Sequence, residues 1–280
     1  MVVACTSSHA EVRPAFDASR SAPHSAASDT ATSTSPARTS ASAEGTTAIE
    51  RTATNERALA PKGAPLGLTR TLAVSGYETA VIVVPPADRA APLLVATHGA
   101  GGSPEWECER WGRVARGRWF LACPRGTPLR RDEPGSDYYA DHPALEREVL
   151  ALVDAVRAEY GTRVAPGDGV YLGYSQGATM GALMLVEHGA LFPHLVLVEG
   201  GSGDWTLRRA ERFRETGGRS VFIVCGTEPC ARRASASAPV LERAGVRAVT
   251  SYAAGAGHTE LGAVGTRAEA LLETLDNGPK

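Results

Sequence analysis

The feature that most restricts the fold of this chain is an alternation of short apolar segments with longer, helix-like ones. Pro92–Thr97 (PLLVAT) is a continuous apolar run, as expected of a central strand covered on both faces. In Ala144–Tyr160 the apolar residues recur at helical spacing, and Gly161 provides a stop. Strands that alternate with helices of this length predict an α/β fold with a mostly parallel sheet and helices on both faces. Ligands of such sheets bind beyond the carboxyl ends of the strands.

The same reasoning predicts eight strands and six helices between Leu68 and Leu275. The predicted strands are Leu68–Ser75, Glu78–Val84, Pro92–Thr97, Trp119–Cys123, Gly169–Tyr174, His194–Val198, Ser220–Cys225 and Arg247–Ala253. The predicted helices are Glu105–Arg116, Ala144–Tyr160, Gln176–His188, Trp205–Glu215, one that ends near Ala244, and Thr259–Leu275. Residues 124–142 carry Gly, Pro and charge and are predicted to form a long loop, with no large inserted cap domain.

The first 60 residues differ in composition from the rest. They are dominated by Ser, Thr and Ala, with scattered Pro and almost no large apolar side chain. Such a segment cannot bury enough surface to offset the entropy of ordering it. We therefore expect a disordered tether at 1–60 and a single folded domain at 61–280.

Cys5 precedes the tether in a context typical of the end of a bacterial lipoprotein signal, Val2-Val3-Ala4-Cys5. A complete signal needs an apolar core of about 7–15 residues, and only four residues precede Cys5. Two interpretations follow. If the true start lies upstream, the protein is extracytoplasmic or anchored to a membrane surface by lipid; otherwise it is cytoplasmic and Cys5 is an incidental thiol.

The other four cysteines form an even set inside the predicted domain, at Cys108, Cys123, Cys225 and Cys230. In an exported protein they can form two disulfides, with three connectivities permitted. We favour Cys108–Cys123 with Cys225–Cys230, which closes the two shortest loops. The alternative is four reduced thiols, which are often buried. None lies in a C-x-x-C pair, so no metal site is predicted.

The segment Gly173-Tyr174-Ser175-Gln176-Gly177 matches G-x-S-x-G between a predicted strand and a predicted helix. A serine on so tight a turn has a strained backbone, and glycine is favoured two residues on either side because side chains there would clash. The pentapeptide alone is weakly specific, but its position between strand and helix makes Ser175 a candidate nucleophile. The alternative is a Gly-rich turn with an inert serine.

A second glycine-rich segment, His98-Gly99-Ala100-Gly101-Gly102, follows the strand PLLVAT directly. Its backbone N–H groups can turn toward the site and, with the amide of Gln176, stabilise an oxyanion. It lacks the Gly-Lys-Ser/Thr end of a phosphate loop, and Pro104 stands where a dinucleotide-binding fingerprint needs Gly. No cofactor is therefore predicted. His98 precedes the glycines, which suits a structural role in the bend.

The general base is predicted to be His258, in a Gly-rich loop between the last strand and the last helix. The acid should follow a strand between Ser175 and His258 in the chain. Glu228, after the strand SVFIVC, is the first candidate, and Asp204 is the second. A carboxylate there would orient the imidazole. Alternatively, Glu228 only begins the next helix, where a negative charge is favourable.

With these motifs in place, residues 65–276 resemble the α/β-hydrolase superfamily. The layout is similar to that of carboxylesterase/phospholipase, dienelactone-hydrolase and polyhydroxyalkanoate-depolymerase-like serine esterases. Those families carry an HG-x-G bend, a GxSxG turn, an acid in a G-T/S-x-D loop and a late G-x-H. The resemblance implies that the oxyanion-hole donors are the backbone N–H groups of Ala100 and Gln176. The departure is Glu228-Pro229 where those families usually have Asp.

These observations predict a serine hydrolase that cleaves a small-molecule carboxyl ester through an acyl-enzyme intermediate. A peptidase or a thioesterase could use the same triad, and a catalytically silent surface-binding lipoprotein could keep the same fold. The net charge of -2 gives no electrostatic attraction to nucleic acid. Neither the substrate's acyl chain nor the oligomeric state has a signature in the sequence.

Overall fold

A computed structural model describes residues 67–86, 90–130 and 135–276. The predicted tether at 1–60 and its Cys5 lie outside these ranges. Within them, no helix combines the length and the apolar character that crossing a membrane requires.

The elements alternate as predicted. The strands are β1 Leu68–Leu72, β2 Ala80–Val84, β3 Leu93–Thr97, β4 Phe120–Cys123, β5 Thr127–Pro128, β6 Asp137–Tyr138, β7 Val170–Tyr174, β8 His194–Val198, β9 Ser220–Cys225 and β10 Arg247–Tyr252. The helices are α1 Pro104–Ala115, α2 His142–Tyr160, α3 Gln176–Met184, α4 Leu207–Glu215, α5 Glu228–Arg243 and α6 Gly262–Asp276.

Eight strands form one sheet in the order β1-β2-β4-β3-β7-β8-β9-β10. Strand β2 runs antiparallel to both β1 and β4, and every other neighbouring pair is parallel. The carboxyl ends of β3, β7, β8, β9 and β10 therefore meet at one edge. The predicted mostly parallel sheet is confirmed.

Helices cover both faces of the sheet, and each face has its own apolar core. On one face α2, α3, α4 and α5 bury residues such as Leu152, Ala182 and Phe213. On the other, α1 and α6 bury residues such as Trp111 and Leu272. The central strands are buried along their whole length because they are covered from both sides. The result is a rigid platform for the loops at its carboxyl edge.

Three local details differ from the sequence prediction. The predicted loop at 124–142 contains a short hairpin, in which β5 and β6 pair antiparallel. Helix α3 ends at Met184 and continues as a short 3₁₀ turn, Leu185–Glu187. Helix α6 begins at Gly262, later than predicted, because the Leu261 amide donates to the Thr259 hydroxyl and closes a separate turn before the helix.

The structure contains both predicted disulfides. Cys108–Cys123 joins α1 to the end of β4 inside the core. Cys225–Cys230 joins the end of β9 to the first turn of α5.

Candidate active site

Ser175 lies on the turn between β7 and α3, with φ 49° and ψ -106°. This left-handed conformation is unfavourable for a residue with a side chain, and neighbouring glycines make the tight turn feasible. A methyl group at Gly173 would come within 2.6 Å of the Ala178 amide nitrogen. One at Gly177 would come within 2.6 Å of the Thr97 carbonyl oxygen. The G-x-S-x-G spacing is thus a steric requirement of this turn, which presents Ser175 at the edge of the sheet.

His258 lies between β10 and α6 and reaches Ser175. Its Nε2 is 2.8 Å from the Ser175 Oγ. Its loop is held at two points close to the ring: the Gly257 amide donates to the Gly226 carbonyl at 3.1 Å, and the Tyr174 hydroxyl donates to the His258 carbonyl at 3.1 Å. The imidazole is about half exposed, so one face is open to a substrate and to water.

The carboxylate that contacts His258 is Glu199. Its Oε2 is 3.0 Å from the His258 Nδ1, and its side chain is 1% exposed. The Gly226 amide and the Thr227 amide both donate to Oε1, and the Thr227 hydroxyl donates to Oε2 at 3.0 Å. A buried carboxylate is costly unless it is paired and hydrogen-bonded, and all of these contacts lower that cost.

The structure places neither of the two predicted acids beside His258. Glu228 is the first residue of α5, and its exposed carboxylate pairs with Arg232 one turn along the same helix. It therefore has the alternative role considered from the sequence, that of a negative charge at a helix N-terminus. Asp204 lies in the connection to α4, where its backbone carbonyl accepts from Arg209. Neither side chain reaches His258 among the contacts of the described residues.

Glu199 was missed because it directly continues the apolar run of β8 and looks like a strand residue. Two signals in the sequence point to it. It is the first residue after β8 and is followed by Gly200-Gly201. A methyl group at Gly200 would come within 2.8 Å of the Ala178 side chain, so the chain must pass close to α3 there. The positive φ of Glu199, 53°, turns the chain so that the Glu199 side chain meets the loop after β9.

The bend 98–102 lies against Ser175. A methyl group at Gly99 would come within 3.1 Å of the Ser175 Cβ. The Gly101 amide donates to the Asp137 carbonyl, and the Asp137 amide donates to the Gly102 carbonyl, so the bend is paired with the β5–β6 hairpin. Ala100 is exposed within this bend. Gln176 begins α3, and the amide of a first helical residue has no partner within its own helix.

Comparisons with known proteins give the fold but no close relative. No family model matches, and no curated protein sequence matches. Among solved structures, the protein TT1662 from Thermus thermophilus superposes with a TM-score of 0.59 at 16% identity, covering 76% of this chain and 99% of that one. Esterase PE8 gives 0.55 at 20% identity, covering 69% and 97%. Carboxyl esterase 2 from the fungus Tuber melanosporum gives 0.58 at 13% identity, covering 79% and 89%.

This chain has the α/β-hydrolase fold. The resemblance stated from the sequence is thereby confirmed for the fold. At these identities the likeness carries the architecture alone, so the chemistry of this α/β-hydrolase fold has to be argued from its own residues.

His98 has a structural position, as the sequence suggested. Its ring is buried and stacks on Tyr139 with centroids 4.6 Å apart. Its Nδ1 lies 2.8 Å from the Gly99 carbonyl, and its Nε2 lies 2.9 Å from the Arg125 carbonyl. Burial lowers the pKa of His98, although both carbonyls oppose that shift. The ring therefore links the bend to the chain that leads into the hairpin.

A pair of buried carboxyl groups, one of them two residues after His258 in the chain, was not anticipated from the sequence. Glu260 is buried, and so is Glu107 on α1. The Trp111 indole N–H donates to both, at 3.0 Å to Glu107 and 3.1 Å to Glu260. Burial raises the pKa of Glu260 to about 7, opposed by the Trp111 hydrogen bond and by Arg110. Burial and the charge of Glu260 raise the pKa of Glu107 well above its usual range.

Within the described ranges, one group of metal-ligand residue types is close enough to share an ion: Glu199, Cys225 and Cys230, with ligand atoms within 4.8 Å of one another. The two sulfurs are joined in a disulfide and so cannot act as thiolate ligands. Glu199 therefore lies close to the Cys225–Cys230 disulfide.

Proposed function

We propose that this protein is a serine hydrolase that cleaves carboxyl esters of small molecules through an acyl-enzyme intermediate. The observation that carries the proposal is the continuous hydrogen-bonded chain Ser175–His258–Glu199. In that chain Oγ lies 2.8 Å from Nε2, and Nδ1 lies 3.0 Å from a buried carboxylate. Nucleophile, base and orienting acid within hydrogen-bonding distance are the arrangement that activates a serine.

Each residue then has a defined role. The Glu199 carboxylate can only accept a hydrogen bond, so it favours the tautomer in which His258 carries its proton on Nδ1. The free Nε2 removes the proton from the Ser175 hydroxyl as the oxygen attacks the ester carbonyl. His258, now protonated, gives that proton to the departing alcohol. A water molecule, activated in the same way, attacks the acyl-enzyme and releases the acid.

The oxyanion of each tetrahedral intermediate needs donors beside Ser175. The backbone amides of Ala100 and Gln176 are the proposed pair, one from the bend and one from the start of α3. Two features support this assignment. A methyl group at Gly99 would meet the Ser175 Cβ, so the bend passes close to this side chain, and the N-terminus of α3 places a partial positive charge beside it.

We propose an ester substrate ahead of a thioester or an amide. The support for this choice is that the named esterases share the fold across most of their own length. A peptidase or a thioesterase would use the same triad. A panel of matched ester, thioester and amide substrates with one acyl group separates the three, and the ester is expected to give the highest kcat/KM.

Replacing Ser175 by Ala tests the proposal directly. We expect hydrolysis of a short p-nitrophenyl ester to fall by at least about ten-thousand-fold, since the whole triad acts through this oxygen. Labelling by a fluorophosphonate probe should disappear as well. Ser235→Ala, at an exposed position of α5, is the matched control and should keep both. A wild-type protein that neither turns over esters nor takes the label would instead support a binding role.

A further inference from the structure

The Cys225–Cys230 disulfide encloses the residues that hold the triad acid. The closed segment, 226–229, contains Gly226 and Thr227, whose two amides and one hydroxyl donate to Glu199. Among the described residues, all the hydrogen bonds to this carboxylate other than the one from His258 therefore come from a single short loop that a covalent bond closes.

The same loop also holds the base. The Gly226 carbonyl accepts from the Gly257 amide at 3.1 Å, one residue before His258. The Cys225 carbonyl accepts from the Ala253 amide at 2.7 Å, at the start of the same connection. A displacement of 226–227 would thus disturb the Glu199 carboxylate and the His258 loop together, and so change their position relative to the Ser175 hydroxyl.

The loop has few other constraints. It joins the last residue of β9 to the first turn of α5, and Thr227 caps that helix without a side-chain hydrogen bond to its backbone. Cys225 and Cys230 are each 1% exposed. Their side chains pack in the same apolar cluster as Ile223 and Ala234. The disulfide fixes the two ends of the loop, with the Cα atoms of Cys225 and Cys230 5.6 Å apart.

We propose that the Cys225–Cys230 disulfide, together with Thr227, is a positioning device for the Glu199–His258 pair. The inference rests on the proposed function, in which that pair activates Ser175. Cys225, Cys230 and Thr227 are positioning residues: they act on the reaction through Glu199 and touch no reacting atom.

The test compares the two disulfides of the same protein. Cys225→Ala with Cys230→Ala should lower kcat by about 10–100-fold, the usual cost of a misplaced catalytic group, with little change in KM. Cys108→Ala with Cys123→Ala is the matched control. That disulfide is also buried but lies between α1 and β4, so its loss should lower thermal stability and leave kcat unchanged.

An NMR signature distinguishes positioning from general loosening. In the tautomer that Glu199 favours, the His258 Nδ1 proton lies in the hydrogen bond to that carboxylate, and a proton in such a charge-assisted bond gives a low-field ¹H signal. That signal should move upfield or disappear in the Cys225/Cys230 variant and stay in place in the Cys108/Cys123 variant. Equal effects of the two variants on kcat and on this signal would overturn the proposal.

Thr227 provides a second route that leaves both disulfides intact. Thr227→Val removes the hydroxyl donor to Glu199 with little change of shape, and it should lower kcat severalfold. Thr227→Ser should restore wild-type turnover. If the cysteine variant does not fold, this pair decides: wild-type kcat in Thr227→Val contradicts the proposal.

The same low-field Nδ1 proton signal, followed in a Ser175→Ala background, gives a readout that needs no catalysis. Its shift or loss on removal of Cys225–Cys230 supports positioning even if the protein proves not to hydrolyse esters. Failure of the proposed function then appears as absent turnover in the wild type, while failure of this inference appears as an unmoved Nδ1 proton signal of His258.

Discussion

The two sides of Ser175 are built differently. On the bend side (98–102 with the β5–β6 hairpin), backbone amides and carbonyls pair with one another, and Gln176 adds two bonds to the backbone of Tyr139. On the carboxylate side (199, 226–227 and 257–260), the contacts depend on the side chains of Glu199, Glu260 and their donors. Backbone pairing is independent of pH, whereas a carboxylate network depends on which groups are ionised. We therefore expect substitutions and pH to act mainly through the carboxylate side.

The largest effect should follow the loss of Glu199. Glu199→Ala should lower kcat by about 10³–10⁴-fold, because His258 loses both its orientation and the charge that stabilises its protonated form. Glu228→Ala is the matched control and should keep wild-type kcat, since Glu228 pairs only with Arg232 on the protein surface. Steady-state hydrolysis of a short p-nitrophenyl ester measures both. A larger loss of kcat in Glu228→Ala than in Glu199→Ala would support Glu228, the acid expected from the sequence, and not Glu199.

On the bend side, the informative residue is Gln176. Its carboxamide accepts from the Tyr139 amide at 2.9 Å and donates to the Tyr139 carbonyl at 3.0 Å. Gln176→Met keeps the volume and the backbone amide but removes both bonds, so the hairpin is less firmly attached to the bend. We expect kcat to fall about tenfold, equivalent to about 1.4 kcal/mol of barrier.

The low-field Nδ1 proton signal of His258 separates this effect from a fault on the carboxylate side. In Gln176→Met it should coincide with that of the wild type, because the Glu199–His258 contact is intact. A shifted signal would show that the two sides are not independent.

The comparison also explains what the sequence could predict. Ser175, the bend and His258 each follow a recognisable strand and carry glycines whose spacing the backbone requires, so local pattern was sufficient to place them. Glu199 also follows a strand and precedes two glycines, but it directly continues an apolar run and so resembles a strand residue. Its identity depends on the register between β8 and β9, which brings Val198 opposite Val224 and so sets Glu199 beside Gly226. That register is a property of the sheet, and one chain's local pattern does not contain it.

The buried pair Glu107 and Glu260 follows the same rule. Glu107 looks like an ordinary first-turn carboxylate of α1, and Glu260 looks like a loop residue. They meet at Trp111 only because α1 and α6 pack on the same face of the sheet. Contacts of this kind, between elements distant in the chain, were beyond prediction from the sequence alone.

The smallest effect we expect is a pH dependence of stability that arises from this pair. The pKa of Glu260 is raised from its ordinary 4.5 to about 7, so its contribution to stability is complete below about pH 4.5 and is lost as the pH rises through 7. The groups that face the pair are Trp111, Arg110 and the Tyr174 ring. The Tyr174 pKa is itself raised to about 12 by burial and by these carboxylates.

Glu260→Gln removes the ionisation and keeps an acceptor for the Trp111 indole. The midpoint of urea unfolding should therefore decline between about pH 5 and pH 8 in the wild type and change less in Glu260→Gln. Glu109→Gln, on the exposed face of α1, is the matched control and should follow the wild type. Parallel curves for all three proteins would mean that Glu260 is not the group that titrates. The pH dependence would then come from other buried groups, such as Asp137 beside the bend, whose pKa burial raises, and the contrast between the two sides would reduce to the Glu199–His258 contact.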